Sequence, residues 1–212
     1  MRKSLLFVWA CMGLVCLMSA CKTSVKSKEW KLVWVEDFDQ KNSFDESVWT
    51  KIPRGTSDWN NYMSYYDSCY AMQDGNLILR GIANHTQKND TAPYLTGGVY
   101  TKGKKLFTGG RVEVCARLQA AKGAWPAIWM LPEKAEWPKG GEIDIMERLN
   151  HDHIAYQTTH SYYTHILGIK DNPPHGGINK INPEEYNIYS VDIYPDSLVF
   201  AVNHRHTYTY PR

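Results

Sequence analysis

"GGEIDIMERLN", residues 140–150, decides how this chain folds, because it sets Glu142, Asp144 and Glu147 within six positions. On a strand, successive side chains point to opposite faces. Glu142 and Asp144 then share one face, and Ile143 and Ile145 the other. Strict alternation would put Met146 beside the acids and turn Glu147 into the core, where an unpaired charge is very costly. One extra residue at Ile145–Met146, a β-bulge, returns Glu147 to the acid face and sends Met146 inward. The segment is therefore predicted to be a bulged strand with three carboxylates in line.

The surrounding sequence has the same period. "GRVEVCARL" (110–118) alternates, with Val112, Val114, Ala116 and Leu118 on one face. "NIYSVDIYPDSLVFAVN" (187–203) reads as a hairpin turning at Pro195–Asp196, with Val191 and Ile193 before the turn and Leu198, Phe200 and Val202 after it. "DGNLILR" (74–80) is a turn entering a strand, and "KNDTAPYLTGG" (88–98) and "KDNPPHGGINKINPEE" (170–185) are loops by their Pro, Gly and Asn content. Many short strands and almost no helical period predict an all-β chain, a β-sandwich or jelly roll.

The first 20 residues are read as a leader rather than fold. Arg2 and Lys3 precede an apolar run of about 14 residues, too short for a membrane span, and Ser19 and Ala20 stand before Cys21. That order resembles a bacterial lipoprotein signal with Cys21 as the lipidated residue. Residues 21–29, polar and rich in Lys and Ser, form a tether, and 30–212 form one domain. The expected location is the cell envelope of a Gram-negative bacterium, with the lipid as the only membrane attachment and the protein a monomer. Without the leader's two basic residues, the 24 Lys and Arg come level with the 22 Asp and Glu. No basic block remains, which argues against a nucleic-acid partner. Cys69 and Cys115 either pair or sit apart.

With the bulge, Glu142 and Glu147 are roughly four strand steps apart, about 13 Å between Cα atoms. Side chains leaning together can bring the carboxyl groups to the ~5 Å at which one attacks an anomeric carbon while the other protonates the leaving oxygen. Asp144 between them is expected to raise a neighbour's pKa by its charge and to orient the nucleophile. A solvated strand face accounts for a single acid. Three in register, flanked by "GAWPAIWMLP" (123–132), call for chemistry. The 8 Trp and 14 Tyr against 5 Phe also suit a wet, sugar-binding cleft.

These residues resemble family 16 glycoside hydrolases, endo-acting retaining enzymes of jelly-roll fold. "GEIDIME" is similar to the active-site strand, "WVEDFD" (34–39) to the opening strand, "GGRVEVCARLQAAKGAWPAIWMLP" (109–132) to the two strands before the active site, and 186–203 to a later hairpin. The resemblance implies Glu142 as nucleophile, Asp144 as its assistant and Glu147 as general acid/base. Met146 places the chain in the bulged branch of laminarinases and agarases. Trp125 and Trp129, four apart, are expected to share a strand face as a stacking platform. The resemblance further makes His160 in "YQTTHSYYT" and Asn61 in "DWNNYMSYY" substrate contacts, and Glu36 a candidate ligand of a structural calcium ion. No other cofactor is expected. His151 and His153 have metal-like spacing but lie on a loop with no carboxylate cage, and read as solvated. Family members continue beyond "HRHTYTYPR", so the resemblance also implies a fragment lacking C-terminal strands. The substrate stays open between β-1,3-glucan and β-galactans, including N-acetyllactosamine repeats of O-glycans, with a lean toward the latter. A non-catalytic carbohydrate-binding lipoprotein on the same fold is the alternative, and the presence of all three acids argues against it.

Overall fold

The alternating runs become strands in a computed structural model that describes residues 30–40, 43–119 and 121–211. The leader and the segment bearing Cys21 lie outside the described residues. Six short strands come first: β1 (Thr50–Lys51), β2 (Tyr70–Gln73), β3 (Asn76–Leu79), β4 (Gly81–Ala83), β5 (Tyr94–Thr96) and β6 (Val99–Tyr100). They pair antiparallel as β1 with β6, β2 with β3, and β4 with β5. Eight more follow: β7 (Gly110–Ala116), β8 (Ala127–Met130), β9 (Glu142–Glu147), β10 (Ile154–His160), β11 (Gly176–Lys180), β12 (Asn187–Ile193), β13 (Ser197–Val202) and β14 (Arg205–Pro211).

These eight build two antiparallel four-stranded sheets. The acid-bearing sheet has the order β11-β10-β9-β8, and the opposite sheet β14-β13-β12-β7. Their apolar faces meet in one core. Ile145, Met146 and Ala155 come from the acid-bearing sheet, and Tyr189, Val191 and Phe200 from the other. Phe200 stacks on Tyr208 with ring centroids 4.5 Å apart. A fully buried side chain of this size contributes roughly 1.5–3 kcal/mol, so the sandwich is held mainly by this layer. The predicted 187–203 hairpin is β12–β13, and Val112, Val114 and Ala116 point inward from β7 while Arg111, Glu113 and Cys115 point out.

The bulge falls where the charge argument put it. Along β8, Ile128 pairs with Met146 but Trp129 pairs with Asp144. Along β10, Tyr156 pairs with Glu147 but Thr158 with Asp144. Both neighbours thus skip a residue at 145–146, and Ile145 and Met146 are both buried. A bulge disturbs the local ladder, and Gln157 supplies a partner there. Its Nε2 donates to the Ile145 carbonyl at 2.7 Å and to the Ala201 carbonyl at 3.2 Å, while its Oε1 accepts from Thr207 Oγ1 at 2.5 Å. Fully buried, Gln157 therefore ties the bulge to the opposite sheet.

The two glycines before β9 are both required. A Cβ on Gly140 would come within 2.5 Å of Pro132 and 2.6 Å of Ala135, and Gly141 has φ +82°, a conformation that costs a non-glycine residue steric strain. Cys69 is buried and Cys115 exposed; they do not pair.

Candidate active site

The bulged strand sets Glu142, Asp144 and Glu147 on the face away from the core. Antiparallel register decides their neighbours. On β10, His160 lies opposite Glu142, Thr158 opposite Asp144 and Tyr156 opposite Glu147. On β8, Trp129 lies opposite Asp144 and Ala127 opposite Glu147. The two glutamates are half-buried, whereas Asp144 is only 3% exposed.

Burial is what distinguishes Asp144 electrostatically. Loss of water pushes its carboxyl up to about 6, and the charges of Glu147 and Glu142 push the same way, against the pull of His160. His160 Nε2 sits 3.2 Å from Asp144 Oδ2. Among the described residues, Oδ2 is buried with no donor in hydrogen-bond geometry. Contact with Asp144 in turn raises the imidazole above its ordinary range, opposed by desolvation. The raised carboxyl is that of Asp144 itself.

Each glutamate is met by an indole from outside the sheet. Trp125 Nε1 donates to Glu147 Oε1 at 2.8 Å, and Trp137 Nε1 donates to Glu142 Oε2 at 2.5 Å. The expectation that Trp125 and Trp129 share one strand is corrected here. The strand begins at Ala127, and Pro126, with no N–H to donate, ends the ladder before Trp125. Instead, the turn after β9 carries Trp125 to the acids. The Arg148 amide donates to the Pro126 carbonyl at 3.0 Å, the Asn150 amide to the Ala124 carbonyl at 2.9 Å, and Asn150 Oδ1 accepts from the Gly123 amide at 2.7 Å. The buried Arg148 guanidinium donates to the carbonyls of Asp152 and Leu118 and so fixes that turn.

Trp137 is held from two directions. Its own turn closes through the Gly140 amide on the Glu136 carbonyl at 2.9 Å. On the other side, the His165 ring packs edge-on against it with centroids 4.4 Å apart. His165 belongs to the single wide turn Tyr162–Ile166, capped reciprocally by Ser161 and the buried Thr164.

Trp129 faces the acids as expected, and Trp59 packs edge-on against it at 5.0 Å. Asn61 is two residues further along the Trp59 loop. Its Oδ1 is buried and has no hydrogen-bond partner among the described residues. Glu36 uses both carboxylate oxygens locally: Oε1 accepts from the Phe38 amide and Oε2 from Trp49 Nε1, each at 3.0 Å. Among the described residues no group of three or more His, Cys, Asp or Glu is placed to hold a metal, and His151 and His153 are exposed. Sequence reasoning missed Trp137, Trp59, His165 and Gln157. Trp137 was findable as an aromatic five residues before Glu142; the others carry no local signal.

With this geometry in hand, comparison with known proteins is informative. Residues 84–177 match a family model described as the XgeA-like catalytic GH16 domain. The chain is 38% identical over 195 residues to a keratan-sulfate endo-1,4-β-galactosidase of Sphingobacterium multivorum, covering 90% of this chain and 45% of that protein. It is 30% identical over 208 residues to a β-glucanase of Rhodothermus marinus, covering 92% of this chain and 71% of that protein. The structure of the laminarinase from Rhodothermus marinus superposes with a TM-score of 0.76 at 29% identity, covering 87% of this chain and 76% of that one.

Proposed function

This chain belongs to glycoside hydrolase family 16, and from that premise we propose that it cleaves internal β-linkages of a glycan with retention of configuration. Glu142 attacks the anomeric carbon, Glu147 protonates the leaving oxygen and then deprotonates water, and Asp144 orients Glu142. The observation that carries this reading is the bulge at Ile145–Met146, which brings Glu147 round to the face of Glu142 and Asp144.

The substrate class we propose is a β-galactoside chain of the N-acetyllactosamine type. Identity over nearly the whole chain is higher to the keratan-sulfate enzyme, 38%, than to the β-glucanase, 30%. Sugar rings stack on Trp129, Trp59 and the face of Trp125, while His160 and Asn61 offer polar contacts. Cys21 tethers the enzyme to the cell envelope by lipid.

The test is product analysis on keratan-type oligosaccharides, β-galactans and β-1,3-glucans, with proton NMR of the first-formed anomer. Internal cleavage of the first class with β product supports the reading. Cleavage of β-1,3-glucan alone would overturn the substrate, and an initial α product would overturn the mechanism. Glycan binding without products would favour a non-catalytic binding protein.

A further inference from the structure

We propose that the two indole N–H groups select which oxygen of each carboxylate does the chemistry: Trp137 leaves Oε1 of Glu142 to attack, and Trp125 leaves Oε2 of Glu147 to carry the proton. The inference rests on the glycosidase reading above and deepens it.

An indole N–H donates and never accepts, so the oxygen it faces must present a lone pair. Trp137 takes Oε2 of Glu142 at 2.5 Å, and Trp125 takes Oε1 of Glu147 at 2.8 Å. The terminal torsion of a Glu side chain is broad and nearly two-fold, so an unheld carboxyl presents either oxygen. One fixed donor removes that ambiguity. A proton on Glu147 Oε1 would oppose the indole hydrogen, so the proton rests on Oε2. Both indoles are themselves fixed, Trp125 by the Arg148–Asn150 turn and Trp137 by its own turn and His165. They are about half exposed, at 49% and 48%, so neither is explained by core packing alone.

The two steps then have defined atoms. In the first, an electron pair of Glu142 Oε1 bonds the anomeric carbon. The bond from that carbon to the glycosidic oxygen breaks, and this oxygen keeps the pair and takes the proton from Glu147 Oε2. In the second, water bonds the anomeric carbon and gives its proton to Glu147 Oε2. The carbon–Oε1 bond breaks and its pair returns to Glu142. Negative charge grows on Glu142 only in the second step, so the Trp137 N–H assists there and opposes the first. Trp125 acts through proton placement, and its effect grows as the leaving group becomes poorer. Both are positioning residues.

The test has a structural and a kinetic arm. In the first, the ¹⁵N-indole NMR signals of Trp125 and Trp137, assigned with Trp125→Phe and Trp137→Phe, are followed from pH 3 to 8. Each is expected to move with pH, and Glu147→Gln or Glu142→Gln to abolish the carboxylate-linked movement of its own indole only. The matched variant decides, because Asp144 and His160 titrate nearby and the His165 ring touches Trp137. Signals indifferent to the matched variant overturn the proposal whether or not any glycan is cleaved.

In the kinetic arm, Trp137→Phe should slow turnover of a dinitrophenyl glycoside about tenfold or more, with a burst and an accumulated glycosyl-enzyme. Trp125→Phe should lose about tenfold more on natural glycan than on the activated glycoside. Benzothienylalanine at either position keeps the ring area and removes the N–H, and should reproduce both effects. A rise in KM alone, equal on both substrates, would overturn the proposal in favour of simple stacking. Wild-type protein that turns over no glycan would refute the glycosidase reading instead, with the NMR contacts judged separately.

Discussion

Strands β12 and β7 keep the register that β9 breaks, and the opposite sheet slips only toward its edge, where β13 meets β14 at Phe200–Ala201. Strands β12 and β7 pair without interruption from Asn187–Ala116 to Ile193–Gly110, whereas β9 slips against both of its neighbours. Charge follows the same division. Across β7 and β12, Arg111 holds Asp192 with two hydrogen bonds, Nε to Oδ1 at 2.6 Å and Nη2 to Oδ2 at 2.9 Å. In the other sheet, Asp144 Oδ2 lies 3.2 Å from His160 Nε2 and has no hydrogen-bond donor among the described residues. A fork that satisfies a carboxylate fixes its charge; a buried carboxylate left short of donors titrates in the working range. One carboxylate is held by a two-point fork, and the other is buried short of donors.

The sharpest way to break this contrast is to remove the attacking group. Glu142→Gln is expected to lower turnover about 10⁴-fold or more with the melting temperature nearly unchanged; a modest loss would move the chemistry elsewhere. Next comes the tie between the sheets. Gln157→Leu strips the donor from the Ile145 and Ala201 carbonyls and the acceptor from Thr207. About 3 kcal/mol of stability should be lost in urea unfolding, with activity falling as the bulge relaxes. Intact activity in a folded variant would mean that the bulge holds without it.

Asp144→Asn tests the cost of the unsatisfied charge. An acid whose folded pKa is raised binds its proton more tightly folded than unfolded. Its ionised form therefore disfavours folding above about pH 6, and that penalty fades as pH falls toward the unfolded value of 3.8. His160, also raised, adds stability below its unfolded value of 6.5 that is lost as pH rises through its folded value. Asp144→Asn should thus stabilise by up to about 3 kcal/mol at pH 8 and by nothing near pH 4, while activity drops. Equal melting shifts at both pH values would contradict this assignment. The smallest effect on turnover, none, is expected from Arg111→Met, although leaving the buried Asp192 without its fork should cost about 3 kcal/mol in unfolding.

The part of this contrast legible in sequence was the part with a large energetic penalty behind it. Burying Glu147 unpaired is so unfavourable that the bulge followed from spelling alone, and Val112, Val114 and Ala116 announced their face by alternation. Trp125 was misplaced because the same alternation was extended through Pro126, which cannot join a ladder. Trp137 reaches Glu142 only through the shape of its turn and the ring of His165, and turns of that kind have no period. Gln157 was invisible for a different reason. In "YQTTH" a polar residue on either face reads alike until the opposite sheet supplies carbonyls for it to meet.

The most direct test of the central claim, that the bulged strand divides nucleophile from acid/base between Glu142 and Glu147, is azide rescue on an activated β-glycoside. With Glu142→Ala, azide should enter the vacated face and give the α-glycosyl azide. With Glu147→Ala, the glycosyl-enzyme still forms and azide should give the β product. The reverse pairing of products, or no rescue in either variant, would contradict the account.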